Sequence, residues 1–107
     1  TLPESLALEQ IRLLALLSPR FVNNALTSQI SWARGYAVAL NLAEAGGRSG
    51  RDRVRVLRIA SGEAREVLAA LTVTEAWGYA DAESITAALR TASRLTAVLR
   101  GLIAKLR

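Results

Sequence analysis

Cysteine and histidine are both missing from these 107 residues, and the two absences remove a good deal of chemistry at once. Without a thiol there is no disulfide framework, no thiolate nucleophile and no thiol-ligated zinc. Without an imidazole the commonest metal ligand and the commonest general base are gone. Aromatic residues make up only 5% of the chain, and there are two prolines and seven glycines. A hydrophobic share of 51% with so few rings implies a core of Leu, Ala, Val and Ile. The scarcity of helix breakers leaves room for long helices. No apolar run approaches the roughly 18 residues of a membrane span, because Arg12 and Arg20 interrupt the greasiest stretch around Ile11 to Leu17. No secretory signal is evident, so a cytoplasmic protein without a membrane role is expected. The length corresponds to a single domain, residues 1–107, able to bury one core.

Arginine is what the chain has in excess: thirteen against one lysine, for a net charge of +5. A guanidinium fork suits bidentate contacts to phosphate or carboxylate. A GC-rich coding sequence that favours arginine codons is the alternative source of the bias. Five of these arginines, Arg48, Arg51, Arg53, Arg55 and Arg58, crowd into eleven residues with only Asp52 among them. The segment reads as the start of a helix, where unsatisfied amides already carry partial positive charge and each added cation costs about 0.3–1 kcal/mol. Arg51 and Arg55, one turn apart, repel each other as well. Local helix stability therefore does not account for the cluster. An anionic partner would, and so would acids such as Glu44, Glu63 and Glu66 delivered by folding or assembly. In the first case Arg48, Arg51, Arg55 and Arg58 are the nucleic-acid-binding candidates, bound to DNA or RNA with steep salt dependence. No aromatic residue interleaves with them, so base-specific reading of a single strand is not expected.

Periodicity predicts four helices, at about 3–17, 24–45, 50–77 and 81–106, forming an all-α, up-and-down antiparallel four-helix bundle. Pro3 and Glu4 suit the first turn of the first helix, whose apolar residues spread over more than one stripe and predict cover on two sides. Ser18, Pro19 and Arg20 end it. Asn23 or Asn24 caps the second helix, where Leu26, Ile30, Ala33, Ala37 and Leu40 predict an inward face and Gln29, Trp32, Tyr36 and Ala43 a second stripe. Gly46 and Gly47 stop it. Ser49 with Asp52 resembles a capping box opening the third helix. Its core stripe runs Val54, Leu57, Ala60, Ala64, Val67 or Leu68, and Leu71, with Arg51, Arg55, Arg58 and Arg65 on another face. Trp77 is expected to pack at its end, beside Tyr79, with Gly78 as a left-handed stop. Asp81 caps the fourth helix, in which Ile85, Ala88, Ala92, Leu95, Leu99, Leu102 and Leu106 repeat at the 3.5-residue period of bundle packing. Gly101 within that stripe predicts a close backbone approach. The second stripe of the second helix and the nearly all-round apolar first helix exceed what one small bundle can hide, which predicts a homo-oligomer.

Several short motifs keep a distinctive order: Leu26-Thr27-Ser28-Gln29-Ile30, Asn41-Leu42-Ala43-Glu44, Gly47-Arg48-Ser49, Leu57-Arg58-Ile59-Ala60, Gly62, Arg65-Glu66, Gly78-Tyr79 and Gly101-Leu102-Ile103. In these the chain resembles the four-helix-bundle family of the 23S rRNA intervening-sequence-encoded protein, which also includes the accessory variability protein of diversity-generating retroelements. The resemblance covers about Leu26 to Leu106. It implies a barrel-like homo-oligomer, a pentamer in relatives, and in the retroelement branch a basic adaptor for nucleic acid and a reverse transcriptase. The chain departs from the pattern in three places. A proline usual in the second helix is absent from Val38-Ala39-Leu40, where a bulge is the expected substitute. Ser31 and Trp32 stand where relatives carry arginines. Arg53 takes the place of a Phe and is expected to lie outside the core.

Trp32 and Tyr36, one turn apart, fit either core packing or an oligomer interface, aromatics with polar tips being suited to interface centres. Asn41 and Glu44 are structural polar candidates, expected to fix the turn between the second and third helices, with Glu44 pairing to Arg48 or Arg58. No catalytic constellation and no metal or cofactor site emerges: the Glu-x-x-His motif of di-iron bundles is impossible here, and Gly46-Gly47-Arg48-Ser49-Gly50 lacks the strand and the Lys-Ser/Thr ending of a phosphate loop. The expectation is a non-enzymatic oligomeric scaffold or adaptor that binds nucleic acid, or a protein associated with it. The alternative is a protein-binding assembly with no nucleic-acid role.

Overall fold

The computed structural model describes residues 1–17, 25–78 and 82–106, apart from the side chains of 17 and 25–32. Four helices account for almost all of them: α1 (Leu2–Leu17), α2 (Ala25–Gly46), α3 (Gly50–Ala76) and α4 (Ala82–Leu106). No strand occurs among the described residues. Each helix packs against its neighbour in the chain, and α4 closes against α1, which makes a four-helix bundle. The link between α2 and α3 spans only Gly47 to Ser49, so α3 must run back along α2. The resulting rod measures 43 × 19 × 18 Å, its long axis set by the 27 residues of α3 at 1.5 Å each.

Glycine permits both turns that bound α3. Gly50 (φ 59°) opens the helix and Gly78 (φ 70°) stops it, in the left-handed region where other residues are strained. Ser49 occupies the N-cap with extended backbone, but its side chain makes no capping bond. The expected capping box is therefore not formed; Asp52 turns to arginines instead.

The core divides along the rod. One cluster joins Leu6 and Ala7 of α1, Val38, Leu42 and Ala45 of α2, Val56, Leu57, Ala60 and Ala64 of α3, and Leu95 and Leu99 of α4. The other joins Leu14, Val67, Leu71, Ile85, Ala88 and Ala92. Gln10 lies on α1 between the residues that enter the two clusters, and it is fully buried with neither amide atom hydrogen-bonded. Beside it, Gly35 is a notch in α2: a Cβ there would sit 2.6 Å from Leu14 Cδ1. The Leu14 side chain of α1 thus fills the space a Cβ would take on α2, and any larger residue at 35 requires it to shift.

The stripes predicted for α3 and α4 lie inward from Leu57 to Leu71 and from Ile85 to Leu99. That predicted for α2 does not. Ala33 is exposed and Leu40 is 57% exposed, while Gly35, Val38, Leu42 and Ala45 face the core. Apolar residues occupy nearly every position of α2 between 33 and 45, so periodicity could not single out one face; small residues that allow close approach decided it. The helix is continuous from Ala25 to Gly46, which rules out the expected bulge at Ala37 to Asn41. α1 is covered on one side only, with Leu8 and Leu16 exposed. Gly101 is exposed, and among the described residues nothing lies within 4 Å of where its Cβ would be, contrary to expectation. Trp77 is 68% exposed at the end of α3. Arg53, expected outside, is half-buried, and its Nε is enclosed without an acceptor. The proposed caps Asn23, Asn24 and Asp81, the Ser18-Pro19-Arg20 stop and Tyr79 lie outside the described residues, as do the side chains of Leu26, Gln29, Ile30 and Trp32.

Candidate functional site

The arginine cluster lies where the α2–α3 turn meets the first two turns of α3, and folding treats its members differently. Arg48 donates from Nε to Glu44 Oε1 at 2.9 Å and from Nη1 to Asp52 Oδ2 at 2.5 Å. Arg55 reaches the other oxygen of Asp52, Nη2 to Oδ1 at 3.0 Å. Asp52 therefore joins two guanidiniums, and its carboxyl is held below the ordinary aspartate range, by Arg48 first and Arg55 second. Arg48 is in turn held more firmly protonated by Asp52 and Glu44. All of these groups are at the surface, where such pairs fix geometry more than they stabilise.

Arg51 and Arg58 have no carboxylate partner among the described residues. Both are exposed, and with Arg55 they follow one face of α3 at steps of four and three. They border an open groove of about 800 Å³ between the start of α3 and the end of α4, lined also by Gly50, Val54, Ile59 and Leu106. Leu106, last in the 3.5-residue repeat, lies at the edge of this groove and is 39% exposed. Farther along the same seam, Arg65 and Arg100 border a smaller depression with Ser61, Ile103 and Ala104. Arg100 and the apolar floor were missed by sequence reasoning. Only the continuation of the α4 stripe to Leu106, past the inward run of α3, could have signalled the floor.

The other candidates fall elsewhere. Tyr36 is 56% exposed, which excludes it from the core and leaves it, with Leu40, on an uncovered apolar face of α2. Asn41 does not bind the turn. Its Nδ2 donates to Glu63 Oε1 at 2.5 Å, tying α2 to the middle of α3, and Arg34 pairs with Glu66 nearby at 2.8 Å. Glu44 does brace the turn, through Arg48. The arginines are thus not brought together with Tyr36 or Asn41. Among the described residues no three metal-ligating side chains converge, and no helix is long and apolar enough to cross a membrane.

The chain is similar in structure to a protein of unknown function from the S23 ribosomal protein family of Bacteroides thetaiotaomicron VPI-5482, solved by crystallography at 1.70 Å. The two share 21% identity with a TM-score of 0.83, over 94% of this chain and 97% of the other. A likeness at that identity shows the fold. No family model and no curated protein matches the chain.

Proposed function

We propose that this protein is a non-enzymatic oligomeric scaffold or adaptor that engages nucleic acid, or a protein associated with it, through the arginine face of α3. The observation that carries this reading is Arg51 and Arg58: exposed, aligned with Arg55, and without the carboxylate partners that Arg48 and Arg55 have. Arg51, in the first turn of α3, is held against the positive end of the helix, and a bound polyanion would relieve that repulsion. Arg65 and Arg100 extend the same face. Membership of the intervening-sequence protein family is part of the proposal, supported by the ordered motifs and the shared bundle fold. So is assembly into a barrel-like homo-oligomer, a pentamer by resemblance, in the cytoplasm. The uncovered Tyr36 and Leu40 on α2, with Leu8 and Leu16 on α1, supply apolar surface for such contacts, and Trp32 belongs to the same stripe by sequence. Repetition of the arginine face around a ring would turn weak single contacts into avidity.

Fluorescence anisotropy of mixed-sequence DNA and RNA across a salt series tests the reading. Binding should weaken steeply with salt, and Arg51→Ser/Arg55→Ser/Arg58→Ser should flatten the slope by roughly 0.9 for each duplex phosphate that is no longer neutralised. Absence of binding at low salt would remove the nucleic-acid reading and leave the protein-binding assembly.

A further inference from the structure

We infer that the groove between α3 and α4 takes an acidic amphipathic helix of a partner protein, the arginines pairing with its carboxylates and the floor receiving its apolar edge. This rests on the adaptor reading above and names the partner class for the same face. A phosphate backbone would use the guanidiniums but gain nothing from Val54, Ile59 and Leu106, which make the floor apolar between them. A single strand would also want rings to stack on, and among the described residues none lines the groove. A helical partner uses both parts. Arg51, Arg55 and Arg58 span eight residues of α3, about 10 Å, and an adjacent helix presents carboxylates at the same spacing of four and three. Its intervening apolar residues then meet Ile59 and Leu106, both now partly in water. This is the helix-in-groove mode of recognition, in which a row of apolar anchors supplies affinity and flanking charge sets orientation.

Charge complementarity fixes the sign of the partner. Among the described residues no carboxylate lines the groove, and Asp52, beside Arg51 in sequence, is already engaged by Arg48 and Arg55. The N-terminus of α3 adds its own positive end to the same place. An incoming acidic helix thus meets uncompensated charge at the rim and apolar surface beneath it.

The test uses the full chain and three labelled probes: an alanine-based helical peptide with glutamates at spacings of four and three and leucines between them, the same peptide with serine for leucine, and a mixed-sequence DNA duplex. The leucine peptide should bind about tenfold or more tightly than the serine peptide. Ile59→Ser/Leu106→Ser should erase that difference, and Arg51→Ser/Arg58→Ser should weaken both peptides together. All four substitutions are at exposed positions, and helical circular dichroism verifies that the fold is intact. Equal binding of the two peptides would overturn the inference. If only the duplex binds, through the arginines and indifferent to the floor variant, the inference fails while the adaptor reading stands. If nothing binds, both fail. If no peptide binds and the floor variant instead changes the sedimentation of the protein alone, a second copy occupies the groove and the inference is again wrong.

Discussion

The two seams α3–α4 and α1–α2 are built from nearly the same amino acids and behave differently. On α3 and α4, one stripe of Leu, Ile, Val and Ala goes inward and most charged residues stay outside, Arg53 being half-buried and Ile59, Val73, Trp77 and Leu106 exposed. On α1 and α2, leucines and a tyrosine remain in water, while a glycine notch and an unpartnered glutamine are buried. Regular stripes lock a seam by burying area. Helices that are apolar all round are instead sorted by which side chains are small enough to touch, and they leave apolar surface over. That surplus is where contacts with further copies are proposed.

The comparison breaks most directly at Gly35. Gly35→Val would drive a branched side chain into buried Leu14, and should cost about 1–3 kcal/mol in denaturant unfolding. Adding Leu14→Ala should recover part of the Gly35→Val loss relative to simple additivity, since the two side chains contend for one space. Simple additivity would show that the notch is not what sets the approach of α1 to α2.

Gln10 gives a change of opposite sign. An enclosed amide without partners forfeits its hydration, so Gln10→Met, of similar length and without the polar atoms, should stabilise the protein by about 1–3 kcal/mol. Loss of stability instead would mean that the amide has partners in the assembled protein.

The smallest effect is expected at the turn. Because the folded-state carboxyl of Asp52 titrates below its unfolded value of about 3.9, its contribution is full above that pH and is lost as the pH falls through the lower folded value. Thermal midpoints of the protein and Asp52→Asn should therefore differ slightly near pH 7 and converge in more acid solution. A gap that widens on acidification would reverse the assignment.

Much of this was legible along the chain where pattern was unambiguous. Ile85 to Leu99 could face only one way, because they repeat at unbroken steps of three and four. Glu44 beside Arg48 needed only one helical turn to meet. Leu40 was misplaced because Val38 and Leu42 were equally good candidates for the same core. Asn41 was misassigned to the turn because its partner, Glu63, is 22 residues away and nothing local points to it.

The sequence by itself determined the class of the protein: all-helical, without thiol or imidazole chemistry, strongly basic at one junction. Those properties follow from composition and short-range periodicity, which act within a few turns of one helix. Only the tertiary structure decided which face of α2 is buried, that Gln10 is enclosed between two clusters, and that Arg51, Arg55 and Arg58 border a groove closed by Leu106 of α4. Each of these depends on the offset of one helix against another, and a shift of a single turn, 5.4 Å, would change every such contact without altering any helix.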